Sequence, residues 1–246
     1  LKPHKPWCAG FARKTTIFDG KIRAMLRDNE IIEPILENLH MPELVEELNL
    51  RLKQEQQLRE EFYEKIQPSD KWEFINGKIV MHSPAKDKHT DARENLGGML
   101  RFFVDLHQMG KVYSETSLVS LFRNDYLPDI SFFSKEKSSK FYPNTWKYPI
   151  PDFVVEILSD STASTDRGVK KEGYAAHGAK EYWLVDPDSQ LVEQYLLDEA
   201  KKEFWLFTKK TVSDHVESKI IEGLRFPVAA IFDEKIKMEV VKEWLN

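Results

Sequence analysis

Tyr126-Leu127-Pro128-Asp129-Ile130-Ser131-Phe132-Phe133 and Pro151-Asp152-Phe153-Val154-Val155-Glu156-Ile157-Leu158-Ser159 are the two strings whose reading decides the fold. Each reads as a β-strand, bounded by proline and turn residues and rich in β-branched and aromatic side chains. Each carries a carboxylate inside an otherwise apolar run, Asp129 in the first and Glu156 in the second. Burying an ionised carboxylate among Val, Ile and Phe is costly unless its charge is compensated. A divalent metal is the general compensator for two converging carboxylates.

Strand geometry says which carboxylates can share an ion. Asp152 and Glu156 face one side of a strand but stand about 13 Å apart along it, too far for one cation. Asp129 lies on a different strand, and neighbouring strands are only about 4.8 Å apart, so Asp129 and Glu156 are the pair expected to converge. Asp152 is expected at the strand mouth, closing the turn after Pro151.

A metal-dependent phosphodiesterase also needs a cation near the attacking water and the developing phosphorane charge. Leu158 stands two residues beyond Glu156, so that strand supplies no lysine. The following segment, expected as a helix over 166–177, offers one. Asp166, Lys170 and Tyr174 recur every four residues and share a face, which directs Lys170 toward the open end of the Glu156 strand. Val169, Gly173 and Ala176 form a second face of small residues able to approach the sheet. Lys171 points about 100° away.

Working outward, Trp72–Ile75 and Lys78–Met81 flank Asn76-Gly77, a hairpin signal because a type I′ turn needs positive φ at both positions. A long helix is expected over 87–108 with Leu96, Met99, Leu100, Phe103 and Leu106 as its buried stripe, ended by Gly110. Strands are expected at 111–122, 129–134 and 152–158. A hairpin of Glu181–Asp186 with Leu191–Leu197 follows across Pro187-Asp188, and further β character is expected around 203–208. Upstream, residues 30–40 and 43–66 read as helices separated at Met41-Pro42. In the second, Leu44, Leu48, Leu58 and Phe62 recur two heptads apart, while Arg51 and Glu55 interrupt the seam. An arm packing on its own domain and a homodimer contact are both open readings.

The charge is unevenly spread. Residues 1–28 sum to +5, residues 29–66 to −6 and the remainder to −4. Boundaries are therefore expected near residues 29 and 68: a basic segment over 1–29, disordered or upstream of the natural start, since the first Met is Met25; a helical arm over 30–66; an α/β domain over 67–233; and a helix or tail over 234–246.

The 246 residues, 41% hydrophobic with fifteen Phe and six Trp, suffice for one sizeable core plus an appendage. One cysteine, Cys8, excludes a disulfide framework and a cysteine-based zinc site. The absence of a span-length apolar run or an apolar leader gives a cytoplasmic expectation. A net charge of −5 argues against a non-specific nucleic-acid coat but not against a nuclease, whose metal site is itself acidic. Local basic groups are Lys86, Lys88, Arg93 and Arg101, then Lys135, Lys137, Lys140 and Lys147, then Lys170 and Lys171, the first two groups at least as readable as solvated surface.

Plainer readings stand beside the functional ones. Asp129 could close a strand end, Glu156 could pair with Lys or Arg, and Lys170 could simply pair with Asp166 one helical turn away. Tyr174 could be packing, Glu73 an ordinary hairpin residue, and His89 a surface or capping residue. Asp186 and Asp188 read as turn chemistry, and Ser159, Ser161, Thr162 and Ser164 as turns and caps. No phosphate-binding loop, dinucleotide fingerprint or nucleophile elbow is present.

Pro128-Asp129, Val154-Val155-Glu156-Ile157-Leu158-Ser159, Asp166…Lys170…Tyr174 and Gly178-Ala179-Lys180-Glu181-Tyr182-Trp183-Leu184-Val185-Asp186-Pro187 together resemble the Uma-type family of restriction endonucleases, assigned to the PD-(D/E)XK nuclease superfamily. The likeness covers about 62–233. It takes in Glu73…Asn76-Gly77, Ser83-Pro84…His89 and Gly223-Leu224…Phe226-Pro227. It implies an α/β fold, a PD-(D/E)XK restriction-endonuclease-like core of mixed β-sheet flanked by helices, and a Mg²⁺- or Mn²⁺-dependent site. Asp129 would match the superfamily aspartate, Glu156 its (D/E), and Lys170 a lysine moved from the strand to the next helix. Glu73 would match a further acidic residue near the site, with Tyr174 supporting. Leu158 departs from the plain motif, where lysine stands. The implied reaction is phosphodiester hydrolysis in DNA, with Asp129 and Glu156 holding the metal and Lys170 orienting the water. A catalytically silent relative binding nucleic acid or a protein partner, and an oligomerisation protein built on 43–66, are the competing readings.

Overall fold

The computed structural model describes residues 32–67 and 69–246. The expectation for residues 1–29 lies outside them. The chain divides into two compact units, Leu1–Gln57 and Leu58–Asn246.

In the first unit, helix α1 (Ile32–Leu36) is followed by the start of α2 (Met41–Lys65), with Met41-Pro42 at its first turn as proline's preset φ favours. Leu44 and Leu48 remain exposed, and Arg51 pairs with Glu47 one turn away at 2.6 Å.

The second unit begins in the last turns of α2, where Phe62 is fully buried. The hairpin β1 (Trp72–Ile75) and β2 (Lys78–Met81) turns on Asn76 and Gly77, with φ of 49° and 77°, as the type I′ signal requires. Helix α3 runs Asp87–Leu106, and the chain leaves it through Gln108 at φ 53° into β3 (Gly110–Ser114). The expected single strand over 111–122 is two strands. Glu115 takes φ 47° between β3 and β4 (Leu118–Ser120), and this turn carries the chain from one sheet to another.

Next come β5 (Asp125–Tyr126), β6 (Ile130–Ser134), the short helix α4 (Lys135–Ser138), β7 (Lys147–Tyr148) and β8 (Phe153–Ile157). After β8 the helical segment is not continuous as expected. A turn of α5 (Ala163–Thr165) passes through a wide π-type turn, Asp166–Lys170, kinked at Gly168, into α6 (Lys171–Ala176). Strands β9 (Glu181–Asp186), β10 (Leu191–Asp198) and β11 (Glu203–Thr211) form a meander. The ribbon β12 (His215–Glu217) and β13 (Arg225–Pro227) precedes α7 (Ala229–Phe232) and α8 (Glu234–Trp244).

Among the described residues the main sheet has the order β11-β10-β9-β8-β6-β3, mixed because only β8 and β9 run parallel, and a second sheet has the order β2-β1-β5-β4-β7. Strand β8 is buried along its whole length, which is why it reads as a near-continuous apolar run. Its alternate residues serve two cores. Phe153, Val155 and Ile157 pack with Trp183, Val185 and the α3 stripe Leu96, Met99, Leu100 and Phe103, whereas Leu106, expected in that stripe, lies exposed at the last turn of the helix. Val154 and Leu158 pack with Tyr126, Tyr174, Ala175, Tyr182 and Leu184 on the other face. Glu156 shares the parity of Val154 and Leu158, so it points to the α5–α6 side.

Gly173 lets that helix approach closely: a β-carbon there would come within 2.6 Å of the Tyr126 hydroxyl. The expected small-residue face is shifted, with Ala175 rather than Ala176 buried, in keeping with the kink at Gly168.

Two buried carboxylates hold the frame. Asp125 accepts both Arg59 Nε at 2.6 Å and Nη2 at 2.9 Å, plus the Tyr63 hydroxyl. Glu181 accepts from Trp183, Gln194, Ser218 and the backbone N–H groups of Lys219 and Ile220, all within 3.0 Å, fixing the end of β12 against β9. Among the described residues no helix is long and apolar enough to cross a membrane.

Candidate active site

The antiparallel register of β6 on β8 pairs Ile130 with Val155, which sets Asp129 opposite Glu156 one step further along. The two residues interlock. Asp129 N donates to Glu156 Oε2 at 3.3 Å, and Ile157 N donates to Asp129 Oδ2 at 2.7 Å. Glu115 N donates to the Asp129 carbonyl at 3.1 Å, so the sheet-switching turn also steadies the aspartate. Asp152 is remote from this pair. It accepts Ser134 N and Lys137 Nζ, both at 2.9 Å, at the opposite end of β8, consistent with the turn role read from its spacing.

The kinked helix delivers the lysine. Lys170 Nζ lies 3.0 Å from Glu73, 3.2 Å from Glu156 and 3.3 Å from Asp166, with only 4% of its side chain exposed. The Tyr174 hydroxyl donates to Glu156 Oε1 at 3.2 Å. Glu73, fully buried on β1, also accepts Leu127 N at 2.7 Å and touches His82 Nε2 at 2.7 Å. The structure thus brings Asp129, Glu156, Lys170, Tyr174 and Glu73 together. Lys171 instead stacks its ammonium over the Tyr195 ring.

The electrostatics show a surplus of negative charge. Burial, reinforced by Asp166, Asp129 and Glu73, pushes the Glu156 carboxyl well above its usual range in spite of Lys170. Burial likewise raises Asp166. Burial opposes ionisation of Glu73 too, but Lys170 and His82 outweigh it and hold its carboxyl low. Burial disfavours the charge on Lys170, yet its three carboxylate neighbours overcome this and keep it a firm ammonium. Burial and the Glu156 charge raise Tyr174, which stays a phenol and a donor.

Sequence reasoning placed His89 at the surface or in a cap. In the structure it reaches inward from the first turn of α3, with Nε2 3.6 Å from Asp129 Oδ2 and Nδ1 buried without a hydrogen-bond partner. Beside it Arg93 pairs with Glu115, which also takes Lys71 at 2.6 Å. Helical periodicity puts His89 and Arg93 one turn apart on one face of α3, but no local pattern indicates that Asp129 and Glu115 meet them there.

Above Asp129, Glu156 and Lys170 opens a cavity of about 270 Å³, bordered by the loops after β8 and β9 and by the start of α3. Its chemistry fits a hard divalent cation: carboxylate oxygens, excess negative charge, and a buried Asp166 Oδ1 lacking a well-directed hydrogen bond. Among the described residues no three His, Cys, Asp or Glu side chains are drawn together as a ready-made metal cage. Two carboxylates nonetheless match the way Mg²⁺ is commonly held, with waters and substrate phosphate as its other ligands.

Fold and site together define a restriction-endonuclease-like α/β protein. The chain belongs to the Uma2 family, described as "Putative restriction endonuclease", whose model matches residues 59–229. Among solved structures it is similar to a protein described as "a putative nuclease belonging to DUF820 from Anabaena variabilis". That likeness has 22% identity and a TM-score of 0.59, covering 76% of this chain and 98% of the other, and it bears on the fold. No curated protein matches the chain.

Proposed function

We propose that this member of a nuclease family is a divalent-metal-dependent endonuclease that hydrolyses phosphodiester bonds in DNA. The observation that carries the reading is the crowding of acids at the cleft floor: Glu73, Glu156 and Asp166 all meet the Lys170 ammonium, and Asp129 interlocks with Glu156. A divalent cation held there would offset the excess negative charge.

Asp129 and Glu156 would hold Mg²⁺ or Mn²⁺, which when bound activates water and neutralises the scissile phosphate. Glu73 and Asp166 hold Lys170 in place, and Tyr174 fixes the rotamer of Glu156. Lys170 donates hydrogen bonds that orient the attacking water and steady the charge growing on the phosphoryl oxygens. The water gives a proton to solvent as its oxygen forms the new P–O bond, the bond to the leaving sugar oxygen breaks, and that oxygen takes a proton from solvent.

Supercoiled plasmid incubated with Mg²⁺ or Mn²⁺ is expected to be nicked by wild type. Asp129→Ala and Glu156→Ala should abolish nicking while leaving circular dichroism native. A second reading, a catalytically silent module that binds nucleic acid or a protein partner, draws on the engagement of Lys170 by three carboxylates. It requires that wild type bind without cutting and that both variants bind equally well.

A further inference from the structure

The floor of the cleft is acidic, so a polyanion entering it must be gripped at the rim. Strands β8 and β9 run parallel, so the loops that follow them open at the same end of the sheet, the usual place for ligands in such sheets. Each loop offers one exposed aspartate to the start of α3. Lys86 Nζ pairs with Asp160 at 2.9 Å, and Lys88 pairs with Asp188. All four residues border the cavity that contains Asp129, Glu156 and Lys170.

These contacts differ from the neighbouring Lys71–Glu115 pair. Glu115 is largely buried and also holds Arg93, so that pair belongs to the frame. The Lys86 and Lys88 pairs are solvent-exposed on both sides, with exposures between 44% and 82%. Exposed ion pairs contribute little to stability and exchange partners readily. A carboxylate on a lysine also has the charge and acceptor geometry that a backbone phosphate would bring.

We infer that Lys86 and Lys88 are the substrate-positioning residues of the cleft, gripping backbone phosphates that flank the scissile one. Asp160 and Asp188 occupy those ammonium groups until a nucleic-acid strand displaces them. The two aspartates thereby compete with the strand for the lysines and weaken its binding. This rests on the nuclease reading, and it assigns the Pro187-Asp188 turn and the Ser159–Thr162 loop a task beyond turn formation.

The test is fluorescence anisotropy of a labelled DNA duplex across a salt series, with Ca²⁺ replacing Mg²⁺ to prevent cutting. Lys86→Ala/Lys88→Ala is expected to raise Kd about tenfold and lower the slope of log K against log salt by about 2. Asp160→Asn/Asp188→Asn is expected to act oppositely, tightening binding several-fold. Melting temperatures of both variants should match wild type, which separates a substrate role from a structural one. If wild type binds and the lysine variant shows unchanged affinity and slope, or the aspartate variant binds no tighter, this inference is overturned alone. If wild type shows no salt-dependent binding, the nuclease reading falls and takes this inference with it.

Discussion

Lys170 and Glu73 meet at 3.0 Å, tying the kinked helix after β8 to the β1–β2 hairpin. The contact makes the lysine proposed to orient the attacking water a structural keystone as well, since Glu156 and Asp166 depend on the same ammonium.

Replacing that ammonium should therefore cost stability as well as activity. Lys170→Met is expected to lower the unfolding free energy by about 3–5 kcal/mol, the usual penalty for orphaning a buried charge. Adding Glu156→Gln should recover part of the loss by removing one orphaned carboxylate. Urea midpoints of the single and double variants measure both, and additive losses would contradict the shared-charge account.

Glu156→Gln alone should separate stability from function. Burial and three like charges disfavour the ionised carboxylate, so an amide relieves the fold while still accepting the Tyr174 hydroxyl. Stability is expected to stay within about 1 kcal/mol of wild type or rise, while Mn²⁺ affinity in calorimetry collapses. A variant that unfolds, or one that keeps its Mn²⁺ isotherm, would refute this.

The Arg59–Asp125 pair anchors the end of α2 to β5 and lies far from the cleft chemistry in role. Arg59→Ala leaves a fully buried carboxylate without its guanidinium and should cost about 3–5 kcal/mol. Cutting by the residual folded protein at low temperature should remain near wild type. Thermal melts paired with a nicking assay check the two halves separately.

Acid sensitivity has a source outside the site. Burial disfavours ionised Glu193, but hydrogen bonds from Arg167, Lys209 and Tyr195 outweigh it and pull its carboxyl from 4.5 down to about 2. The unfolded chain thus binds the proton more readily than the folded one. The stabilisation is complete above about pH 4.5 and is lost as pH falls toward 2. Glu193→Gln should flatten melting temperature against pH across that window, and an unchanged profile would count against the assignment.

Much of this arrangement was legible because it rests on short-range rules. Asn76-Gly77 dictated its hairpin, alternation dictated the two faces of β8, and inter-strand spacing sufficed to pair Asp129 with Glu156 while excluding Asp152. The four-residue spacing of Asp166, Lys170 and Tyr174 survives the kink at Gly168, since Lys170 still reaches Asp166 at 3.3 Å. What was not legible depends on tertiary neighbours. His89 and Arg93 look like polar surface on α3 until Asp129 and Glu115 arrive from elsewhere. The break of 111–122 into two strands hinges on one positive φ at Glu115, which is not a residue type that announces a turn.

Leu158 occupies the strand position where the plain superfamily motif has lysine, and it is packed into the apolar cluster with Tyr174 and Tyr182. The ammonium arrives instead from a separate backbone element yet ends 3.2 Å from Glu156. On the proposed reading, what counts is where the positive charge sits in space rather than which stretch of backbone carries it. Comparing sites by the position of an ammonium relative to two interlocked acids then groups together proteins that a fixed lysine spacing would separate.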